Sequence, residues 1–437
     1  FRLANILVGN QPGEAALECQ FMGPTLKFEN DRMIAITGAN MSPKLDGKKI
    51  PLWESIEVKA NQTLEMEFAT IGARSYIAFS GGINSEPWLG SRSTFHKAGV
   101  GGIDGRAIQD GQTLPLRGNN KISFNEIEII SRNSKKTIQI KDVKNLPKFL
   151  RNKVTKDLSI ITKKNKNFAN LNLNDIPNLM GVLNLTPDSF SDGGRFNKKN
   201  RGVTHAMNLF KFGSNIIDVG GESTRPGSQT VSNAREWKRI ANTIKKISKK
   251  LPISLDTRKS EIMKKGIKLG VKIINDISGL EYDQKTIEIL RDYKTPFVIH
   301  HCQGTPETMQ IKPVYKNALL DIYDFFEKKI KLLRTKGIKH NNIIIDPGIG
   351  FGKNLKHNMN LIRDISIFHT LGFPILVGVS KKRFIKEIAG INDTENRTGG
   401  TVASSLYLAS QGVQILRIHD VKELMQSIKV FKNIIQN

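Results

Sequence analysis

The run Leu179-Met180-Gly181-Val182-Leu183, followed at once by Asn184, opens the region of the sequence that decides the fold. Similar apolar runs recur down to the C-terminus, and amphipathic helical patterns separate them. Near-continuous apolar runs are typical of parallel strands that are buried on both faces. The eight predicted strands are residues 179–183, 215–219, 253–255, 271–274, 297–300, 343–345, 375–377 and 414–418. The alternation predicts an α/β fold, and eight units favour a closed (β/α)8 TIM barrel over the alternative of an open doubly wound sheet.

A polar or charged residue follows almost every predicted strand. In a (β/α)8 barrel the C-terminal ends of all the strands meet at one rim, and the active site is built there. The residues that follow the strands are Asn184, Thr224, Arg225, Asp256, Asn275, His301, Asp346, Lys382, Arg417 and His419. We therefore expect side chains that are far apart in sequence to converge on one pocket.

The loop at residues 184–194 contains a proline, two glycines and several hydroxyl and carboxyl side chains. The proline and the glycines cannot continue a strand or a helix, so this stretch is predicted to be a loop. Its oxygen atoms suit a hard cation such as Mg²⁺ together with a bound phosphate. A turn with Asx capping is the alternative, and this motif by itself does not decide between the two.

Carboxylate and amide side chains end several of the strands. Asp256, Asn275 and Asp346 could accept hydrogen bonds from the amino and ring N–H groups of a flat heterocycle. A lone carboxylate at a strand end is often only a helix N-cap. Several such groups on one rim are harder to explain in that way, and they favour a ligand site.

Basic side chains on the same rim indicate an anion. Arg417 and His419 are two residues apart on the last strand, so both side chains point to the same face. Together with Lys382 and the planar guanidinium of Arg225, they could bind a diphosphate. A satisfied structural histidine is the alternative for His419. No Cys/His cluster has metal-ligand spacing, so a transition-metal site is not predicted.

The formal net charge of +27 is unevenly distributed, with −1 on residues 1–116 and +28 on the remainder. A nucleic-acid surface is one interpretation, and lysines on solvated helix faces are the other. The lysine pairs at 245–246, 249–250 and 264–265 have no aromatic residues interleaved with them, which favours the second interpretation and predicts no nucleic-acid partner. No apolar run approaches the roughly 20 residues that span a bilayer, so no membrane partner is predicted. Two cysteines far apart in sequence fit a reducing cytoplasm, and the start at Phe1 suggests that the natural N-terminus lies upstream.

The charge change near residue 117 predicts a domain boundary. Residues 1–116 contain short alternating runs between Gly, Pro and Asn turns, which predict a small all-β barrel or sandwich. Residues 117–178 are predicted to form a basic connector, and residues 179–437 the barrel.

The first segment resembles the biotin-dependent carboxyltransferase-like family, to which one of the bacterial 5-oxoprolinase subunits belongs. The stretches that carry the resemblance are residues 2–10, 36–40, 76–83, 89–94 and 101–106. The resemblance covers residues 1–116 and implies an incomplete, cyclophilin-like, mainly-β domain.

Residues 118–437 resemble dihydropteroate synthase, through the combination of motifs at 184–194, 221–227 and 346–353. In this resemblance the connector corresponds to an N-terminal extension. The family joins 6-hydroxymethyl-7,8-dihydropterin diphosphate to p-aminobenzoate, giving 7,8-dihydropteroate and pyrophosphate for folate synthesis. The resemblance implies a cytoplasmic, Mg²⁺-dependent transferase, usually a homodimer, that sulfonamides target.

The resemblance also implies roles for individual residues. Asn184 would hold Mg²⁺ against the diphosphate. The phosphate-binding residues would be Arg417, His419 and Arg225. The pterin-binding residues would be Asp256, Asn275, Asp346 and Lys382. The p-aminobenzoate site would be bordered by Thr224, Pro226, Phe351 and Ser380. The catalytic residues would be Asp256, Lys382, Asp188 and Arg225, with Asp256 or Asp188 stabilising positive charge on the pterin methylene.

The sequence departs from the family pattern at two positions, where His300 replaces the usual Met and Lys381 an often-found Arg. Two other functions remain as alternatives. A pterin-binding methyltransferase barrel would share the Asp and Asn side chains that hold the pterin. A protein associated with 5-oxoprolinase or a carboxylase would instead act through its N-terminal segment.

Overall fold

The computed structural model describes residues 1–436 except 89–90, 119–125, 164–165, 170, 174–176, 187–199, 224–227, 305–307, 310 and 312. The chain divides into two compact units, Phe1–Lys163 and Lys164–Asn437. Among the described residues, no helix is both long enough and apolar enough to cross a bilayer.

The first unit consists mainly of antiparallel strands. Its helices are α1 (Arg2–Leu7) and α2 (Lys148–Ile161). Its strands are β1 (Leu17–Gln20), β2 (Thr25–Lys27), β3 (Arg32–Asn40), β4 (Lys44–Leu45), β5 (Lys48–Lys49), β6 (Ser55–Val58), β7 (Thr63–Glu65), β8 (Ile71–Phe79), β9 (Glu126–Ile130) and β10 (Lys135–Gln139). They form sheets of order β1-β8-β3-β6 and β2-β7-β4-β5 and the hairpin β9-β10. The predicted mainly-β character of this unit is confirmed.

The first unit runs beyond the boundary predicted at residue 117. Val154 and Leu158 of α2 are buried in one cluster with Ile6 of α1, Ala35 of β3 and Ala78 of β8. Because α1, α2 and the β9–β10 hairpin bury their apolar side chains together with this face of the sheet, residues 126–161 belong to the first compact unit. The sequence predicted domain boundaries after residues 116 and 178, whereas the two compact units divide between residues 163 and 164.

The second unit is a closed parallel barrel. Its strands are β11 (Asn178–Asn184), β12 (Ile216–Gly220), β13 (Ile253–Asp256), β14 (Ile273–Asp276), β15 (Phe297–His300), β16 (Ile343–Asp346), β17 (Leu376–Gly378) and β18 (Ile415–Ile418). Its α-helices are α3 (Arg201–Lys211), α4 (Asn233–Ile247), α5 (Ser260–Lys268), α6 (Thr286–Tyr293), α7 (Ala318–Thr335), α8 (Leu355–Arg363), α9 (Arg383–Ala389), α10 (Thr398–Ser410) and α11 (Val421–Gln436). The strands follow one another around the sheet, and a parallel bridge between Ile345 and Ile375 joins its two edges. The predicted TIM barrel is confirmed, and the open sheet is excluded.

The floor of the barrel is apolar. Ile216, Val298, Ile344 and Ile415 contribute side chains to one buried cluster. Leu171, from the segment that precedes the first barrel strand, belongs to the same cluster and is buried. The described residues at the N-terminal end of the barrel thus form a packed apolar core.

Candidate active site

The two-residue period of a β-strand places the polar residues of the site. Side chains i and i+2 on a strand share one face. Ile344 belongs to the barrel floor, so Asp346 of the same strand faces the interior one layer higher. The same step leads from Ile415 to Arg417 on β18. The interior thus changes from apolar to charged toward the rim.

Arg417 lies at the centre of this charged layer. Its Nε donates to Asp218 Oδ2 at 2.7 Å, and its Nη2 donates to Asp256 Oδ2 at 2.9 Å. Asn275 Nδ2 also donates to Asp218 Oδ2, at 3.1 Å. Asp218 is fully buried, and Asp256 is 5 % exposed. Four strands therefore contribute to one hydrogen-bonded network, and it brings together three of the predicted rim residues, Asp256, Asn275 and Arg417.

The charged groups in this layer perturb one another. Burial raises the pKa of Asp256, the nearby Asp218 carboxylate raises it further, and Arg417 opposes both effects. Burial lowers the pKa of Lys382 to about 8, and the charge of Arg417 acts in the same direction. Shifts of this kind, in groups that converge on one cavity, are typical of functional sites.

Asp346 ends β16 on the opposite side of the barrel. Its Oδ1 accepts a hydrogen bond from the backbone N–H of Gly348 at 2.8 Å, and its Oδ2 lies 4.0 Å from His300 Nε2. Burial raises the pKa of this carboxyl to about 6, although the Gly348 hydrogen bond and the charge of Lys382 lower it. One carboxylate oxygen of Asp346 is therefore hydrogen-bonded within its own loop, and the other faces His300.

Lys382 and Phe351 come from different loops and meet at the rim. The Lys382 Nζ atom lies 4.1 Å from the centre of the Phe351 ring, within the range of a cation–π contact. Gly350 allows this approach, because a Cβ there would lie 3.3 Å from Lys382 Cδ, and its φ of +85° suits glycine. The lysine and the aromatic ring together form one wall of the pocket.

Ser380 and His419 form a second pair at the rim. Ser380 Oγ lies 2.9 Å from His419 Nδ1 and accepts a hydrogen bond from the His419 backbone N–H at 3.2 Å. Lys381 does not join them. Its Nζ binds Glu395 at 2.8 Å and Asp420 at 3.1 Å, so its charge is committed to ion pairs beside the site.

Asn184, the predicted metal ligand, ends β11 beside β12. A Cβ on Gly220 would lie 3.6 Å from Asn184 Oδ1 and 3.5 Å from Asp256 Cβ. Glycine at this position therefore leaves space between the amide oxygen and the acidic layer. A single amide oxygen at a strand end would fit the way Mg²⁺ is usually bound, with few protein ligands.

A buried ion network that the sequence did not predict lies beside the loop after β12. Lys259 is 3 % exposed, and its Nζ binds Glu222 at 2.9 Å and Glu236 at 2.6 Å. It also donates to the backbone oxygen of Val231 at 2.7 Å. One ammonium group therefore holds two points of the chain nine residues apart, on either side of this loop. The pairing of Lys259 with Glu222 joins distant segments, and no local pattern indicates it.

Two further charged residues, Asp218 and Lys353, are buried in the site region. Asp218 lies inside β12, so the pattern of polar strand ends does not include it. A carboxylate within an apolar strand is nevertheless a signal of a functional residue. Lys353 is 3 % exposed and hydrogen-bonds His301 Nδ1 at 3.1 Å. His301 packs edge-on against Phe325 of α7, so this histidine of the predicted rim stabilises the barrel wall. The predicted residues Asp188, Thr224, Arg225 and Pro226 lie outside the described residues.

Comparison with known proteins agrees with this geometry. The family model described as "Pterin binding enzyme" matches residues 180–419. The chain belongs to the dihydropteroate synthase family of pterin-binding enzymes. A dihydropteroate synthase of Escherichia coli (strain K12) is 40 % identical over 256 residues, which cover 58 % of this chain and 90 % of the relative. The dihydropteroate synthase of Neisseria meningitidis serogroup B is 41 % identical over 265 residues, covering 59 % of this chain and 93 % of the relative.

Solved dihydropteroate synthases share the barrel. The Yersinia pestis enzyme in a sulfonamide drug complex is 36 % identical, with a TM-score of 0.58, and covers 60 % of this chain and 95 % of its own. The Xanthomonas albilineans enzyme with 4-aminobenzoic acid is 34 % identical, with a TM-score of 0.56, and covers 60 % of this chain and 94 % of its own. The barrel is thus a dihydropteroate synthase barrel and a transferase.

The first unit is similar to a different family. A model described as "Carboxyltransferase domain, subdomain A and B" matches residues 1–158. The match extends beyond the predicted limit of residue 116 and includes most of α2, in agreement with the packing of that helix into the first unit. The sequence therefore joins a dihydropteroate synthase barrel to a carboxyltransferase-like unit.

Proposed function

We propose that the barrel condenses 6-hydroxymethyl-7,8-dihydropterin diphosphate with p-aminobenzoate to give 7,8-dihydropteroate and pyrophosphate. The observation that carries this proposal is the network in which Arg417 lies between Asp218 and Asp256. In this network, carboxylate oxygens that could accept hydrogen bonds from a heterocycle lie beside a guanidinium that could bind a diphosphate. The solved relatives with 4-aminobenzoic acid and with 7,8-dihydropteroate support the same substrates.

The pterin ring is assigned to the buried acidic layer. Asp256, Asn275 and Asp346 supply carboxylate and amide oxygens at three strand ends. Their hydrogen bonds would hold the ring edge, because a pterin carries amino and ring N–H donors. Lys382 would donate to a ring acceptor from the opposite wall.

The diphosphate is assigned to the rim. His419 and Ser380 already contact each other there, and Arg417 of β18 lies two residues before His419. Arg225 would add a second guanidinium. Asn184 would hold Mg²⁺, which when bound would neutralise charge on the phosphate oxygens. The p-aminobenzoate is assigned to the mouth, bordered by Thr224, Pro226, Phe351 and Ser380.

The reaction follows from this arrangement. The bond between the pterin methylene and the diphosphate oxygen breaks, and its electron pair leaves with pyrophosphate. Arg417, His419 and Arg225 would stabilise the charge that builds on that leaving group. Asp256 or Asp188 would stabilise the positive methylene. The amine of p-aminobenzoate then forms the new C–N bond and loses a proton, and its fixed position lowers the entropic cost of the attack.

The same proposal covers partners and location. Cys19 and Cys302 are both free thiols, which fits a reducing compartment, and we assign the protein to the cytoplasm. The lysines between residues 245 and 265 have no aromatic residue among them, so we propose neither a nucleic-acid nor a membrane partner. A homodimer is proposed as the assembly, and sedimentation of the purified full chain would test it.

The direct test uses the purified full chain with Mg²⁺, pterin diphosphate and p-aminobenzoate. Dihydropteroate and pyrophosphate should form in equal amounts, and chelation of the metal should stop both. Methyl transfer from a pterin donor without pyrophosphate release would favour the methyltransferase alternative. ATP-dependent turnover of 5-oxoproline would instead assign activity to the first unit.

A further inference from the structure

His300 is a buried ionisable residue of the pocket that the proposed reaction does not use. It ends β15, is 3 % exposed, and pairs in register with Asp346 of β16. Val298, two residues earlier, belongs to the barrel floor, so the His300 side chain faces the interior. It therefore lies in the same layer as the carboxylate assigned to the pterin.

The hydrogen bonds of His300 determine which ring nitrogen carries the proton. Its Nδ1 lies 3.1 Å from the backbone oxygen of Ile277. A carbonyl oxygen can only accept, so Nδ1 must be the donor. Burial, with the charges of Lys353 and Lys382, holds the pKa of His300 well below its usual value, so the ring stays neutral. Nε2 therefore presents a lone pair.

A second hydrogen-bond acceptor, a carboxylate oxygen of Asp346, lies near this lone pair. Nε2 lies 4.0 Å from Asp346 Oδ2, while Asp346 Oδ1 already accepts from Gly348. Within the described part of the chain, Nε2 receives no hydrogen bond. Two acceptors at this separation can both be reached by one nitrogen that carries two N–H bonds, at about 2.9 Å from each.

The ring is also held in place. Phe351 contacts it edge-on, with 4.6 Å between the ring centres and an angle of 86°. On another side, a Cβ at Gly348 would lie 2.9 Å from His300 Cε1, so the histidine fills the space that this glycine leaves. The Nε2 position is therefore fixed before a ligand binds.

We propose that His300 Nε2 and Asp346 Oδ2 together accept the two N–H bonds of one exocyclic amine on the bound heterocycle. This makes His300 a specificity-determining residue for amine-bearing pteridines. The inference rests on the proposed function, since it concerns the pterin pocket. It differs from a packing role, because a side chain that only fills space would not distinguish an amine from a hydrogen atom.

The test is calorimetry with two ligands on the full chain: 6-hydroxymethylpterin, and its analogue with hydrogen in place of the exocyclic amine. H300M keeps most of the side-chain volume and removes the acceptor, whereas H300Q supplies an oxygen near the position of Nε2. H300M should bind the pterin about tenfold more weakly and bind the analogue as the wild type does. H300Q should recover most of the lost affinity.

Equal loss for both ligands in H300M, or no loss for either, would overturn the proposal. Should H300M fail to fold, His300→Leu provides the same comparison, because leucine also removes the acceptor and keeps an apolar side chain of similar volume. Equal affinity of the wild type for the two ligands would overturn the inference as well. If the wild type makes dihydropteroate and H300M binds both ligands as the wild type does, only this inference is refuted. A wild type without pyrophosphate release refutes the proposed function itself.

Discussion

Replacing Lys353 with methionine should remove a rise in the stability of the barrel between pH 7 and pH 9. Lys353 is buried, and its ammonium group donates to His301 Nδ1 at 3.1 Å, to the His301 backbone oxygen at 3.3 Å and to the Phe351 backbone oxygen at 2.8 Å. All three acceptors are uncharged. Burial therefore lowers the pKa of Lys353 from 10.5 to about 7.

The sign of the effect follows from proton counting. Between pH 7 and pH 10.5 the unfolded chain binds a proton at Lys353 that the folded protein has released. Stability therefore rises with pH through this window, by about 1.4 kcal/mol per pH unit. Because the folded protein has released only half of this proton at pH 7, the contribution between pH 7 and pH 9 is about 2 kcal/mol. The methionine variant lacks it, while its lost hydrogen bonds cost about 1 kcal/mol each at every pH.

Thermal unfolding of the full chain at pH 7, 8 and 9 measures this contribution. For a unit of this size, about 2 kcal/mol corresponds to roughly 4–8 °C in the melting temperature of the barrel. The difference between wild type and K353M should change by that amount across the window. K356M removes an exposed lysine of α8 and should follow the wild type. Parallel pH profiles for wild type and K353M would refute the reasoning.

Three further predictions concern the network around Arg417 and the loop anchored by Lys259. Arg417→Met should cost about 3–5 kcal/mol of stability, because Asp218 and Asp256 lose their buried counter-charge; adding Asp218→Asn should recover part of the loss in denaturant unfolding, and purely additive effects would contradict the coupling. Asp256→Ala should abolish pterin binding in calorimetry, and unchanged affinity would overturn its assignment. Lys259→Met should raise the KM for p-aminobenzoate more than the KM for the pterin diphosphate, because it removes the contacts that hold Glu222 and Val231, which flank the residues assigned to p-aminobenzoate in sequence; equal changes in both would indicate general destabilisation.

Much of the fold and of the site could be predicted because both depend on the period of a strand. Alternating apolar runs and helices led to the barrel, and polar strand ends led to its rim. Asp256, Asn275, Asp346 and Arg417 meet there because each follows a residue of the same face by two positions. Asp218 obeys the same rule, but it lies inside its strand, so the pattern of polar strand ends does not include it.

What could not be predicted depends on contacts between distant segments. Lys381 and Lys382 are adjacent and chemically identical, yet Lys381 pairs with Glu395 and Asp420 while Lys382 lies against Phe351. Nothing in the local sequence separates them. The backbone conformation directs the two side chains differently, because Lys381 adopts a positive φ of +57° at the turn after β17. The C-terminal limit of the first unit could not be predicted for the same reason, since α2 packs against α1 and β3, which lie more than a hundred residues earlier.

The balance of charge inside the barrel explains why the site can stay folded without substrate. A guanidinium whose side chain is only 22 % exposed would be costly if it had no counter-charge in the free protein. Asp218 and Asp256 supply that counter-charge at 2.7 Å and 2.9 Å, and they also fix the orientation of Arg417. The guanidinium therefore needs no reorganisation when the leaving group develops its charge, which is the condition for electrostatic catalysis. The same ion pairs that stabilise the empty barrel thus prepare it for the reaction that we propose.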